Sequence, residues 1–288
     1  MILVVSAGSS LTLGSVVTDG GNSTYSNSGR YYDSGDHNWH NYNNSYNGGN
    51  AGVISLTGSS ISLSGNISAA GGTSNTGNSG LGGAVSFASP LLLTDNLSIT
   101  TTGQTDGAIS FGSTIDGNKS LTINTRRTTV LNANIGSSNH LASLTMSGPV
   151  TINASAITTT GTQTYNGAIT LGADVTLTAS GITTTSTISA GNYDLTMIAD
   201  AFNLGGNITG SGTSVLTIQP KTNGTTIGLG TSAPGTISLA ATELAYLRTP
   251  SVVIGGSGAT GLITVNASTI NSAVTNFTLQ NSGSSGNE

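Results

Sequence analysis

Between Ile157 and Ile198 apolar and polar residues alternate in short runs, AITL, DVTL, STIS and YDLTM, parted by Gly, Asn, Asp and Ser. ITTT occurs at Ile157 and again at Ile182. Alternation of period 2 puts every second side chain on one face, so runs this short, bounded by turn formers, read as strands. They recur every 20-odd residues. A single unit of that kind cannot bury its apolar face, whereas stacked units form one continuous core. The pattern predicts a β-solenoid.

The same texture extends over most of the chain. LTLGSVV, Leu11 to Val17, reads as a strand kinked at Gly14, and VISL, ISLSGNIS, AVSF, LLL, LSI, AISF, LTI, TVLN, SLTM and VTI follow from Val53. Strand centres fall near Leu97, Leu121, Leu144, Leu177, Leu195, Leu216, Ile237 and Ile263, mostly 18 to 26 residues apart with one gap near 33. Ten to twelve coils fit, which at ~4.8 Å per coil is a rod of about 50–60 Å. LAATELAYL, Leu239 to Leu247, is the one stretch with helical spacing.

Leu121, Ile123, Leu144, Val175, Leu177, Leu195, Met197, Leu216, Ile218, Val265 and Leu279 are the expected inward stack, in an interior sized for aliphatics rather than rings. The fold class expected is all-β: a right-handed parallel β-helix, one rod over residues 1–288 with its coils in 53–279. Asp106-Gly107, Asp116-Gly117 and Asn166-Gly167 are hairpin-type dipeptides, which keep an antiparallel sandwich or barrel open.

Residues 19–50, DGGNSTYSNSGRYYDSGDHNWHNYNNSYNGGN, break the pattern. Almost nothing in them is aliphatic, and Trp39, His37, His40 and a cluster of tyrosines are concentrated there. They read as a long irregular excursion from the rod, and such loops commonly carry function. Tyr31, Tyr32, Trp39 and Tyr42 are the expected contact anchors, because large rings displayed together mark binding surfaces. The competing expectation is that they cover the rod's own flank.

Composition narrows the function classes. Charged residues are 6% of the chain against roughly 25% in ordinary globular proteins. Six Lys and Arg are scattered, with Arg126-Arg127 the one adjacent pair, and the net charge is −5. Neither nucleic acid nor membrane insertion is therefore expected, since the first requires clustered cations to displace counterions. Cysteine is absent and Gly numbers 42, which fits a secreted or surface protein stabilised by a regular core. MILVV lacks the charge and length of a signal peptide or anchor, so the chain reads as a mature piece or excised segment.

Three stretches resemble the repeats of filamentous-haemagglutinin-like bacterial large exoproteins: TGTQTYNGAITLGADVTLTA, STISAGNYDLTMIADAFNLGGNITGSGTSVLTIQP, and GTTIGLGTSAPGTISLAATELAYLRTPSVVIGGSGATGLITVNA. The resemblance spans roughly residues 118–281. It implies a right-handed parallel β-helix, export through an outer-membrane partner, and service as adhesin, biofilm or filament material at the cell surface. No Asn-Pro-type secretion motif of that family occurs here, and residues 19–50 match no part of its pattern.

Candidate chemistry is thin. Asp95 with Asp116, and Asp174 with Asp194, lie about one coil apart, the spacing at which carboxylates stack; corner capping is the ordinary use of such acids. Asp33, Asp36, His37 and His40 are weak candidates for a divalent cation, against the alternative of a solvated polar loop. GGTSNTGNSG lacks the Asp of a calcium-binding nonapeptide repeat. No catalytic residue, cofactor or metal is therefore expected. The expected function is an extracellular structural or adhesive module associating with itself and with surface glycans or host proteins. The alternative is a filament subunit stacked end to end. An ice-binding protein, with TxT only sporadic in the sequence, and a polysaccharide-degrading enzyme are remote readings.

Overall fold

The computed structural model describes residues 2–23, 26–33, 38–45, 47–75, 77–266 and 268–282. The chain winds as a three-sided parallel β-helix. One regular coil is Ile169–Leu171, Val175–Thr178 and Ile182–Thr184; the next is Ile188–Gly191, Leu195–Ile198 and Phe202–Leu204, each strand paired in parallel with its predecessor. The first sheet has ten strands and the third eight. The second comprises runs of four and six strands, joined by bridges through Ile135 to Ile115 and Ile157. A three-stranded parallel sheet of Ile227–Leu229, Ile237–Leu239 and Ile263–Val265 follows near the C-terminal end, beside a short helix, Ala241–Tyr246. Ten strands at ~4.8 Å make a stack of about 45 Å.

Register explains why these residues choose these strands. In the second sheet Leu11, Ile61, Leu91, Ile115, Ile135, Ile157, Leu177, Met197, Ile218, Ile254 and Leu279 form one inward column. All except its two terminal members are buried. Each aliphatic side chain so covered contributes about 1.5–3 kcal/mol, and a slip of one residue would turn the whole column outward.

The structure corrects four expectations. Leu279 and Val265 continue inward columns, opposite Ile254 and Leu229, yet are 42% and 52% exposed. They lie on the last described strands of their sheets, where no further coil covers them. The 33-residue gap came from joining columns of different sheets: Leu144 is followed by Gln163, while Leu177 belongs with Ile157 and Met197. Rings do enter the core. Phe87 and Phe111 stack with centroids 4.9 Å apart, and Tyr165 is fully buried with its hydroxyl donating to Gln163 Oε1 at 2.9 Å. Finally, Asp116-Gly117 and Asn166-Gly167 are corners between strands of the helix rather than hairpin turns. Gly117 has φ +121°, a conformation that only glycine adopts readily.

Asx side chains hold the corners. Asn66 Oδ1 accepts from Ser98 N, Asn96 from Ser120 N, and Asn134 from Ser155 N, each at 2.9 Å. Every such bond satisfies an amide of the next coil that the turn would otherwise leave unpaired.

Candidate contact site: the tyrosine-rich hairpin and its glycine stem

The first coil ends at Val17 and the second begins at Val53, with the excursion between them. Within it Ser26–Asp33 and Asn38–Ser45 form a two-stranded antiparallel ribbon that pairs with no other strand. The excursion is thus more regular than its sequence predicts. Apolar alternation was the strand signal, and two strands paired only with each other do not require it.

What positions the ribbon is a stem built on glycine. The outgoing leg runs beside the next coil, with Thr18 N, Gly20 N and Ser23 N donating to Ser68 O, Ala70 O and Thr73 O. The returning leg does likewise, Gly48 N to Asn78 O and Ala51 N to Leu81 O. Gly49 N to Gly21 O and Gly52 N to Thr18 O tie the two legs together. Gly72 N donates to Gly49 O at 2.9 Å and Gly80 N to Gly72 O at 2.7 Å, carrying the same packing into the second coil. The backbones approach so closely that a Cβ on Gly20 would collide with Gly49 O, and one on Gly72 with Gly21 O. Only glycine permits that approach.

Four Asx residues clamp the legs from outside. On the outgoing side Asp19 Oδ1 accepts from Ala70 N at 2.7 Å and from the Ser68 hydroxyl, and Asn22 Oδ1 accepts from Thr73 N at 2.9 Å. On the returning side Asn47 and Asn50 accept from Asn78 N and Leu81 N, both at 2.9 Å. Thr18, buried at the stem's mouth, donates to Gly52 O at 2.9 Å. Both legs of the stem are therefore fixed to the helix by side chains as well as by backbone.

A third glycine turn closes the packing. Gly71 N donates to Thr102 O and Gln104 N to Gly80 O. Asp106, its side chain fully covered, accepts from Gly103 N at 3.0 Å and from Arg126 Nη2 at 2.7 Å, while the Arg126 side chain is 73% exposed. Burial alone would push the Asp106 carboxyl up. The hydrogen bonds from the Arg126 guanidinium and from the amides of Arg126 and Gly103 outweigh it and hold the group below its ordinary value. Arg126, half of the sequence's single cationic pair, is thus a structural clamp.

The predicted contact residues fall on the ribbon. Tyr31 stands opposite His40, Tyr32 opposite Trp39, and Tyr42 opposite Gly29. Of the cation candidates, Asp33 lies opposite Asn38 and His40 opposite Tyr31, whereas Asp36 and His37 lie outside the described residues. Among the described residues no three His, Cys, Asp or Glu side chains cluster as metal ligands.

The remaining acids occupy corners. Asp174 Oδ1 accepts from Asp194 N at 2.9 Å and Asp194 Oδ1 from Val215 N at 2.8 Å, so this predicted pair is aligned, as backbone caps. The other pair is not: Asp116 stands opposite Leu92, while Asp95 accepts from the adjacent Asn96 N at 2.7 Å. Asp200 is partly buried, which by itself raises its carboxyl. The Thr222 hydroxyl and amide, with Thr225 and Lys221 N, bring it below the ordinary value. Glu243 accepts from Ala240 N and Leu204 N, fastening the helix to the edge of the third sheet.

No protein-family model, curated protein or solved structure matches the chain. The functional reading therefore rests on the ribbon, its stem and the faces of the rod. Composition marked residues 19–50 as an aromatic excursion from the rod, but neither their pairing as a ribbon nor the stem was expected. The stem's signal was present: Gly20-Gly21, Gly48-Gly49, Gly71-Gly72 and Gly80 recur beside Asp19, Asn22, Asn47 and Asn50.

Proposed function

We propose that this chain is an extracellular, non-catalytic structural or adhesive rod of a bacterial surface, of the filamentous-haemagglutinin-like kind, with the Ser26–Ser45 ribbon as its contact element. The observation that carries the reading is the stem: four Asx clamps and a set of close-packed glycine backbones are devoted to holding one ribbon that the helix itself does not use. Supporting it, each described acid from Asp95 through Glu243 accepts a backbone amide, which leaves no carboxylate pair converging on an open cleft. The partners fitting such a surface are neutral: other copies of the chain, surface glycans or host proteins, with charge repulsion nearly absent. Beads coated with the purified chain should aggregate, or adhere to glycan- or protein-coated surfaces. Beads that stay dispersed and unattached on all of them would contradict the reading.

A second reading has its own observation. Inward columns run into the outermost described coils, where Val265 and Leu279 remain exposed and Leu3, Val5, Leu11 and Leu13 are half-buried. A filament stacked end to end would cover them. Negative-stain electron microscopy separates the two: uniform long fibres favour the filament, isolated short rods the adhesive module.

A further inference from the structure

The outer face of the third sheet carries an ordered hydroxyl array. Strand pairing places Thr122, Thr145, Thr164 and Thr183 in one file along the rod. The file was invisible in the sequence because the intervening coils differ in length, which made the threonines look sporadic. All four are half-exposed, and none of their hydroxyls hydrogen-bonds within the described structure. In the flanking files side chains do bond, between the coils of Thr122 and Thr145. Ser143 Oγ donates to Ser120 Oγ at 2.8 Å on one side, and Ser147 Oγ to Asn124 Oδ1 at 3.1 Å on the other. The free hydroxyls are spaced at ~4.8 Å along the rod, with neighbouring files about 6.6 Å away across it. No charged residue occupies any of the three files.

We propose that this face binds ice, a function beyond the adhesive reading and independent of the ribbon. A threonine hydroxyl has one donor and two acceptor sites, so it can take the place of a lattice water. Its methyl group excludes disordered water from the gap beside it. A charge would orient water radially around itself, and here there is none to do so. The occupant must be extended. The array covers about 400 Å² by its strand spacings, short of the roughly 800 Å² per partner of a stable protein interface. A second copy is therefore a poor fit. A crystal plane, with indefinitely repeated sites and many weak contacts engaged together, suits it better. A polysaccharide sheet would call for aromatic platforms under its sugar rings, and these files contain none.

The test is ice growth in the presence of the intact chain, read as thermal hysteresis, crystal shape and inhibition of recrystallisation. Faceted crystals and a measurable hysteresis gap are expected. Thr145→Lys combined with Thr164→Lys should return both to the buffer level with an unchanged melting transition, while Ser62→Lys on the second sheet, which stands opposite Leu92 and belongs to no threonine file, should preserve them. Thr164→Ser, which keeps the hydroxyl and removes the methyl, should retain part of the activity. Replacing the ribbon should leave ice activity intact, so failure of this proposal and failure of the adhesive reading are read separately. Absence of hysteresis and of recrystallisation inhibition by the intact chain would overturn the proposal. So would full activity in the double lysine variant, or capture of the chain by crystalline cellulose or chitin that the double variant alone loses.

Discussion

Asp106 and Thr129 show how much depends on single side chains in so uncharged a core. Asp106 and Asp200 are both held below the ordinary carboxyl value of 3.8. A folded value below the unfolded one contributes stability that is fully present above the unfolded value and lost as pH falls through the folded value. The melting temperature should therefore drop as pH is lowered below about 3.8, and Asp106→Asn should both lower it at neutral pH and flatten that drop. The neutral-pH loss should be about 1–3 kcal/mol, the cost of leaving a covered polar site poorly paired; a variant with the parent's acid profile would contradict the assignment. Thr129 stands between Ile109 and Val150 in an inward column, its hydroxyl buried without a partner in the described structure. Thr129→Val keeps the shape and removes that hydroxyl, so it should raise stability by about 1 kcal/mol in a denaturant melt.

Among the elements, the glycine stem is the most demanding. Gly72→Ala would drive a methyl into Gly21 O, a backbone atom that cannot swing aside, whereas a Cβ on Gly8 meets nothing within 4 Å. The first substitution should lower the melting temperature or expose the stem to limited proteolysis, and the second should do neither. These elements also mark where the sequence was readable. Period-2 runs identified the strands, and LAATELAYL its one helix, because side-chain burial is decided locally by which face a residue occupies. Register was not readable from spacing, since coils of unequal length hid which Leu stacks on which. That is why Leu177 was placed after Leu144, and why the Thr122 file escaped notice. The ribbon was equally hidden: its two strands pair with each other, so Tyr32 and Trp39 became neighbours with no apolar rhythm to announce it.

At the scale of the molecule, a continuous aliphatic core makes a rod that needs almost no charge, and the stem adds to it a lateral element the rod does not require. Sheets wound this way are paired strand to strand, so the rod should survive loss of the ribbon. Residues 26–45 start and finish on paired positions, Ser26 opposite Ser45, so a short turn can replace them without separating the legs. The most direct measurement is therefore made on that replacement variant: bead adhesion and aggregation, scored beside its thermal transition. Adhesion and aggregation should fall to the level of uncoated beads while the transition of the rod stays within a few degrees of the parent. Undiminished adhesion would contradict the contact role of the ribbon, and collapse of the rod's transition would make the ribbon a cover for the first coils instead.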